Sequence, residues 1–142
     1  MIILPVTLTI AGAAALLNFW LALRASRVRM TEKILIGDGG NPRMTARMRA
    51  HANFAEYTPF ILILLGLIEL SRGTSLWLWG IGVVYILARI AHAFGMDAEK
   101  PGALRLVGIA ITMLVLVGLA GWALAIPYMG YRPVVTEIAA VG

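Results

Sequence analysis

Four long apolar runs constrain the fold of this chain more than any other feature of its sequence. Each is close to the roughly 20 residues that a helix needs to cross about 30 Å of hydrocarbon. The runs are continuous, whereas the strands of a membrane barrel alternate in short segments. Only 13% of the 142 residues are charged and 61% are hydrophobic, so no soluble domain fits beside the spans. The predicted spans are residues 2–23, 52–70, 76–95 and 104–126.

We therefore predict an all-α fold, in which residues 1–142 form one integral membrane domain. Short connections favour an up-down antiparallel four-helix bundle. The longest connection follows the first span and contains a run of turn residues, 37–42, while segments 71–75 and 96–103 are predicted to be short turns. The glycines of the first connection lack the Lys-Ser/Thr ending and the preceding strand of a phosphate-binding loop.

Basic residues are concentrated in the first and third connections. Segment 24–49 carries seven of them, and Lys100 and Arg105 follow the third span. The second connection has only Arg72, and the C-terminal tail only Arg132. Because basic loops remain in the cytoplasm, both termini are predicted to be non-cytoplasmic. The net charge of +5 then reflects topology, so we expect no nucleic-acid partner and some attraction to anionic lipids.

The chain has no cysteine, which excludes disulfides, thiolate metal sites and a cysteine nucleophile. Its two histidines, His51 and His92, have no partnering cluster of metal ligands, so no metal site is predicted. Any thiol chemistry must therefore use a thiol that belongs to the substrate.

Polar residues open the second span, in the sequence RAHANFAEYTPF at residues 49–60. Arg49, Asn53 and Glu56 are spaced four and then three apart, which places them on one helix face, whereas His51 points the other way. Pro59 cannot donate to the backbone and is expected to loosen the helix nearby. Ionisable groups inside a span are costly and are therefore candidates for function.

The third and fourth spans carry further charges at the same predicted depth. Arg89 and His92 lie near the end of the third span, and Arg105 lies at the start of the fourth. Antiparallel threading brings these residues level with the polar face of the second span. Arginine forks match carboxylates, so the cluster suits a small anion with several carboxylates and one amine. Glu56 would neutralise Arg89 or accept from the amine of the ligand.

Structural alternatives exist for each part of this cluster. Glu56 and Arg89 would serve equally as a buried ion pair that fixes helix register. Arg49 and Arg105, near the interface, would serve as anchors that extend their charges into water. The functional interpretation depends on the convergence of three spans.

The segment RAHANFAEYTPF, with ARIAHAFGMDAEKPGALRLVG at residues 88–108, resembles the MAPEG family, the membrane-associated proteins in eicosanoid and glutathione metabolism. The likeness extends over nearly the whole chain in length, span number and topology. It implies a homotrimer that binds glutathione as a co-substrate between subunits, near the cytoplasmic face. It also implies Arg105 as the catalytic arginine that faces the glutathione sulfur.

The same resemblance assigns glutathione-binding roles residue by residue. Arg49, Asn53 and Glu56 would hold the charged ends of the peptide, and Tyr57 matches a tyrosine that follows the motif glutamate in some members. Arg89 would pair with Glu56 or reach a glutathione carboxylate. The remaining implied binding residues are His92, Arg24 and Arg27.

The implied activity is that of a glutathione transferase or peroxidase in detoxification, acting on lipophilic molecules that arrive from the bilayer. The compact chain favours a bacterial inner membrane, with the site facing the cytoplasm. Met96 stands where several members have a tyrosine, which favours the alternative of a non-catalytic lipid- or glutathione-binding scaffold of the same family. A small multidrug transporter has a similar length, but arginines beside Glu56 disfavour a cation pathway.

Overall fold

The computed structural model of this protein describes residues 3–98 and 102–129, and these form four helices. The helices are α1 (Pro5–Thr31), α2 (Pro42–Arg72), α3 (Leu76–Gly95) and α4 (Ala103–Met129). All four are long and apolar enough to cross a membrane, and the described ranges contain no strand. The prediction of an all-α fold with four candidate spans is confirmed. Lys100 and Arg132, which entered the predicted topology, lie outside the described residues.

Helices α1 and α2 extend beyond the predicted spans. α1 continues to Thr31 rather than ending at residue 23, and α2 begins at Pro42 rather than at residue 52. Asn41 caps α2 by accepting a hydrogen bond from the Met44 N–H at 3.0 Å, and proline at the first helical position loses no backbone bond. Much of the basic segment 24–49 is therefore helical. The helices accommodate these charges because long basic side chains can extend into water.

The first connection, residues 32–41, turns at the glycines as predicted. Gly37, Gly39 and Gly40 have φ angles of 69°, 60° and 69°, in the left-handed region that glycine adopts without strain. α2 itself continues through Pro59 as one helix.

Side-chain contacts show that consecutive helices run antiparallel. Glu69, near the end of α2, contacts Thr7 at the start of α1, and the Thr58 hydroxyl of α2 lies 2.6 Å from the Tyr85 hydroxyl of α3. At the other end, a Cβ added at Gly108 of α4 would lie 2.6 Å from Cβ of His92 on α3. Glycine thus permits α4 to approach α3 closely beside the predicted site. The apolar core has two clusters. One consists of Val6, Ile10, Ile61, Leu65, Ile68, Leu78, Tyr85 and Leu119, and the other of Ala14, Leu17, Leu21, Phe54 and Ala93.

Candidate functional site

Arg89 joins three helices at the centre of the predicted site. Its side chain is only 1% exposed, and its Nη2 donates to Oδ1 of Asn53 on α2 at 2.8 Å. Its Nη1 donates to the hydroxyl of Thr112 on α4 at 3.3 Å, and Thr112 donates in turn to the Gly108 carbonyl at 2.8 Å. Asn53 and Arg89 therefore lie at the same level of the bundle, as the sequence predicted.

Glu56 and Arg89 form no ion pair within the described residues, so one of the two alternatives that the sequence left open for them is not formed in this chain. Within residues 3–98 and 102–129, the ion pairs are those of Asp97 with Arg24 and Arg47. Asn53, which lies nearer the start of α2, accepts the hydrogen bond from the Arg89 guanidinium, while Glu56 is exposed on the helix surface. Glu56 is three positions after Asn53, which turns the two side chains about 60° apart around the helix axis. Tyr57, the residue after Glu56, is half-buried.

Two buried nitrogens near this network have no partner in the described part of the chain. They are Nε of Arg89 and Nδ1 of His92, one turn further along α3. Leaving a buried polar atom unsatisfied costs about 1–3 kcal/mol. Both atoms therefore favour an additional polar partner, such as water or a bound molecule.

A cleft of about 970 Å³ opens where α2 and α4 begin and α3 ends. Arg49 and Arg105, which the sequence predicted to converge, both line it and are both exposed. Met96, which the resemblance would place where several family members have a tyrosine, lines the cleft as well. We call this end of the bundle, marked by Arg24, Arg47, Arg49 and Arg105, the basic end.

The charges around the cleft favour an anionic ligand. Its lining includes four arginines and two aspartates, Asp38 and Asp97. The N–H of Gly40 and the hydroxyl of Thr45 donate to Asp38 at 3.0 and 2.8 Å, and these bonds lower the pKa of its carboxyl group. Even with both aspartates ionised, the cleft therefore has a positive balance. The arginines are Arg43, Arg47, Arg49 and Arg105.

Arg24, a predicted ligand contact, is engaged inside the chain. It is 7% exposed, and its guanidinium carbon lies 4.6 Å from the centroid of the Trp20 ring and 5.6 Å from that of Phe94. It donates to the Ala93 carbonyl at 3.2 Å and forms an ion pair with Asp97. Such contacts hold α1 against the end of α3. Arg27, the other first-helix candidate, is exposed on the surface.

Sequence reasoning missed the contacts that three residues make near this site: Arg47, Asp97 and Thr112. Arg47 was counted only as a topological charge, and Asp97 only as part of a turn. Because both residues flank spans at the basic end, their opposite charges were the available signal. His51 was correctly placed on another face of α2, where its Nε2 lies 2.9 Å from Oδ1 of Asn18 on α1.

Comparison with known proteins agrees with this architecture. The inner membrane protein YecN of Escherichia coli strain K12 is 31% identical over 86 residues, which are 60% of this chain and 65% of YecN. YecN of Escherichia coli O6:H1 matches to the same extent, so the match spans less than two thirds of either relative. The model of the MAPEG family matches residues 7–125. With most of its length matched by that model, the chain belongs to the MAPEG family.

Proposed function

We propose that this protein is a glutathione-dependent membrane transferase or peroxidase. The observation that carries the proposal is the positively charged cleft to which α2 contributes Arg49 and α4 contributes Arg105. Membership of the MAPEG family supports a glutathione-related function for such a cleft. The similarity to YecN supports an inner-membrane location.

Arg105 would act by stabilising the glutathione thiolate. A free thiol has a pKa of about 8.5, so only a small fraction is ionised at neutral pH, and a nearby arginine lowers that pKa. Arginine keeps its own proton, and the thiol proton would therefore leave to water, which reaches the exposed Arg105 side chain. The sulfur of the thiolate is then the nucleophile.

The same thiolate supports two reactions. In conjugation, its sulfur forms a bond to an electrophilic carbon of a lipophilic molecule, and a leaving group departs with its electron pair or a proton is taken up. In peroxide reduction, the sulfur attacks the terminal oxygen of a lipid hydroperoxide, and the lipid leaves as an alcohol after protonation. A second glutathione then reduces the sulfenic acid, which yields glutathione disulfide and water.

A homotrimer would complete the site. Arg49 and Glu56 are exposed on α2, and Glu56 forms no ion pair within the described residues. A carboxylate in this position favours a partner from outside the chain, such as the glutathione amine. Asn53 and Tyr57, on the same turns of α2, would line the peptide from one subunit. The unsatisfied Nε of Arg89 would donate to a polar group of the peptide, and Nδ1 of His92 would donate or accept according to its tautomer.

The test is a glutathione titration of the purified protein, with thiolate absorbance followed in the wild type and in Arg105→Ala. We expect the wild type to bind glutathione and to form thiolate, and Arg105→Ala to bind with little thiolate. If the wild type does not bind glutathione at millimolar concentration, the proposed enzymatic function is ruled out.

The scaffold remains a second candidate, because Met96 lines the cleft where several family members have a tyrosine. Loss of an aromatic face and hydroxyl beneath the peptide would weaken binding or turnover. Glutathione binding without thiolate in the wild type would favour this candidate. Restored thiolate in Met96→Tyr would then identify the methionine as the cause.

A further inference from the structure

The ends of three helices meet at one carboxylate, that of Asp97. We propose that Asp97 is a positioning residue which, with Arg24 and Arg47, holds the turn after α3 in place and thereby fixes Arg105 in the cleft. We call these three residues the Asp97 clasp. The inference extends the proposed function, because it concerns how the thiolate-stabilising arginine is held.

The two oxygens of Asp97 bind different helices. Oδ2 accepts from Nη2 of Arg24 on α1, and Oδ1 lies 3.4 Å from Nε of Arg47 on α2. Arg47 also donates from Nη1 to the Arg24 carbonyl at 2.9 Å. The clasp therefore ties α1 and α2 to each other and to the residue two positions after α3.

The clasp is shielded from water on its arginine side. The side chains of Arg24 and Arg47 are 8% and 13% exposed, whereas that of Asp97 is 33% exposed. Isolated surface ion pairs contribute little, but networks with partly buried members contribute more. Trp20 and Phe94 cover the Arg24 guanidinium and hold it in one orientation. Since Asp97 accepts from both arginines, loss of its charge would release two contacts together.

The end of α3 is packed directly against Arg105. A Cβ added at Gly95, the last residue of α3, would lie 2.8 Å from Cα of Arg105 and 2.9 Å from the carbonyl carbon of Leu104. Because no side chain separates them, a shift of the turn at residues 96–98 would be transmitted to the backbone of Arg105. Asp97 thus acts through the turn and not by contact with the reacting atoms.

The enzymatic test compares Asp97→Asn with Asp97→Glu. Asparagine keeps the size and removes the charge, while glutamate restores the charge. We expect Asp97→Asn to lower kcat and the thiolate absorbance about tenfold, because displacement of a catalytic group by about 1 Å costs up to a hundredfold. The KM for glutathione should change less than threefold, and Asp97→Glu should recover most of the thiolate signal.

The opposite result would assign Asp97 another role. If Asp97 bound the ammonium group of glutathione, Asp97→Asn would raise KM and leave kcat and the thiolate signal at saturation unchanged. That outcome, or a kcat and thiolate absorbance in Asp97→Asn equal to those of the wild type, would overturn the proposed role of the clasp. Absence of glutathione binding in the wild type would instead contradict the proposed function, and a second measurement keeps the two questions separate.

This second measurement needs no glutathione. The chain has no cysteine, so Ala98→Cys would be the sole thiol and would report on the turn. We expect its reaction with a water-soluble maleimide, compared per ionised thiol because the adjacent carboxylate itself raises the thiol pKa, to become several-fold faster when Asp97→Asn is added and to return near its original rate with Asp97→Glu. Arg72→Cys, at the last residue of α2 and the opposite end of the bundle, is the control and should react at the same rate in each background. Equal rates at Ala98→Cys would overturn the clasp.

Discussion

The carboxylate of Glu69 on α2 accepts two hydrogen bonds from Thr7 on α1, from its N–H at 2.8 Å and from its hydroxyl at 2.7 Å. The N–H of Val6 donates to the same carboxylate at 3.0 Å, and the Thr74 hydroxyl at 2.8 Å. The first N–H groups of a helix have no partner within it, and Leu4 at the N-cap has no side-chain acceptor. Glu69 therefore caps α1 from a neighbouring helix.

Replacement of Glu69 by Gln should destabilise the protein. The carboxylate is buried. Glutamine would place an NH2 group, which is itself a donor, against N–H and O–H donors that now bind a carboxylate oxygen. We expect a loss of about 2 kcal/mol, within the range for unsatisfied buried donors, measured as a lower unfolding temperature in detergent. Thr74→Val removes one donor and leaves the helix cap in place, so its effect should be smaller. Equal unfolding temperatures for Glu69→Gln and the wild type would contradict the capping role.

The sequence predicted the number of candidate spans and the end of the bundle at which Arg49, Arg89 and Arg105 lie, because hydropathy and the cost of charges in lipid depend on local composition. It did not predict Glu69, since a carboxylate at the edge of an apolar run is indistinguishable from an ordinary interfacial charge. It also offered Glu56 as one partner for Arg89 from opposite charge, whereas Asn53 and Thr112 bind this guanidinium. Depth follows from position along a span, but the choice of partner depends on helix rotation, which helix packing determines.

Substitution of Gly95 by Ala should disturb the site through the backbone. The added Cβ would meet the backbone of Leu104 and Arg105, which cannot move aside as a flexible side chain can. We expect a lower unfolding temperature and a reduced thiolate signal. Gly118→Ala on α4 is the matched control, because nothing lies within 4 Å of its added Cβ. Alanine there should be neutral or stabilise the helix by up to about 1 kcal/mol. A thiolate signal of wild-type size in Gly95→Ala would show that Arg105 tolerates this displacement.

The predicted orientation is testable by labelling, because single cysteines can be introduced into a cysteine-free chain. Lys33 lies in the connection after α1, and Arg72 lies at the end of α2, so the two residues belong to opposite ends of the bundle. We expect an impermeant maleimide to label Arg72→Cys in intact cells and Lys33→Cys only after permeabilisation, because basic loops remain in the cytoplasm. The reverse pattern would place the cleft on the outer side.

Substitution of Arg49 by Gln should weaken glutathione binding. Arg49 is one of the arginines that give the cleft its positive balance, and a hydrogen bond to a charged group contributes about 1.5–3 kcal/mol. Because each 1.4 kcal/mol changes a dissociation constant tenfold, we expect affinity to fall by about 10- to 100-fold in calorimetric titration. Arg72→Gln removes the same charge from the opposite end and should leave the affinity unchanged. Added salt should weaken wild-type binding more than that of Arg49→Gln, since the variant has one charge fewer to screen. Equal losses in both variants would mean that glutathione responds to the overall charge of the protein rather than to this cleft.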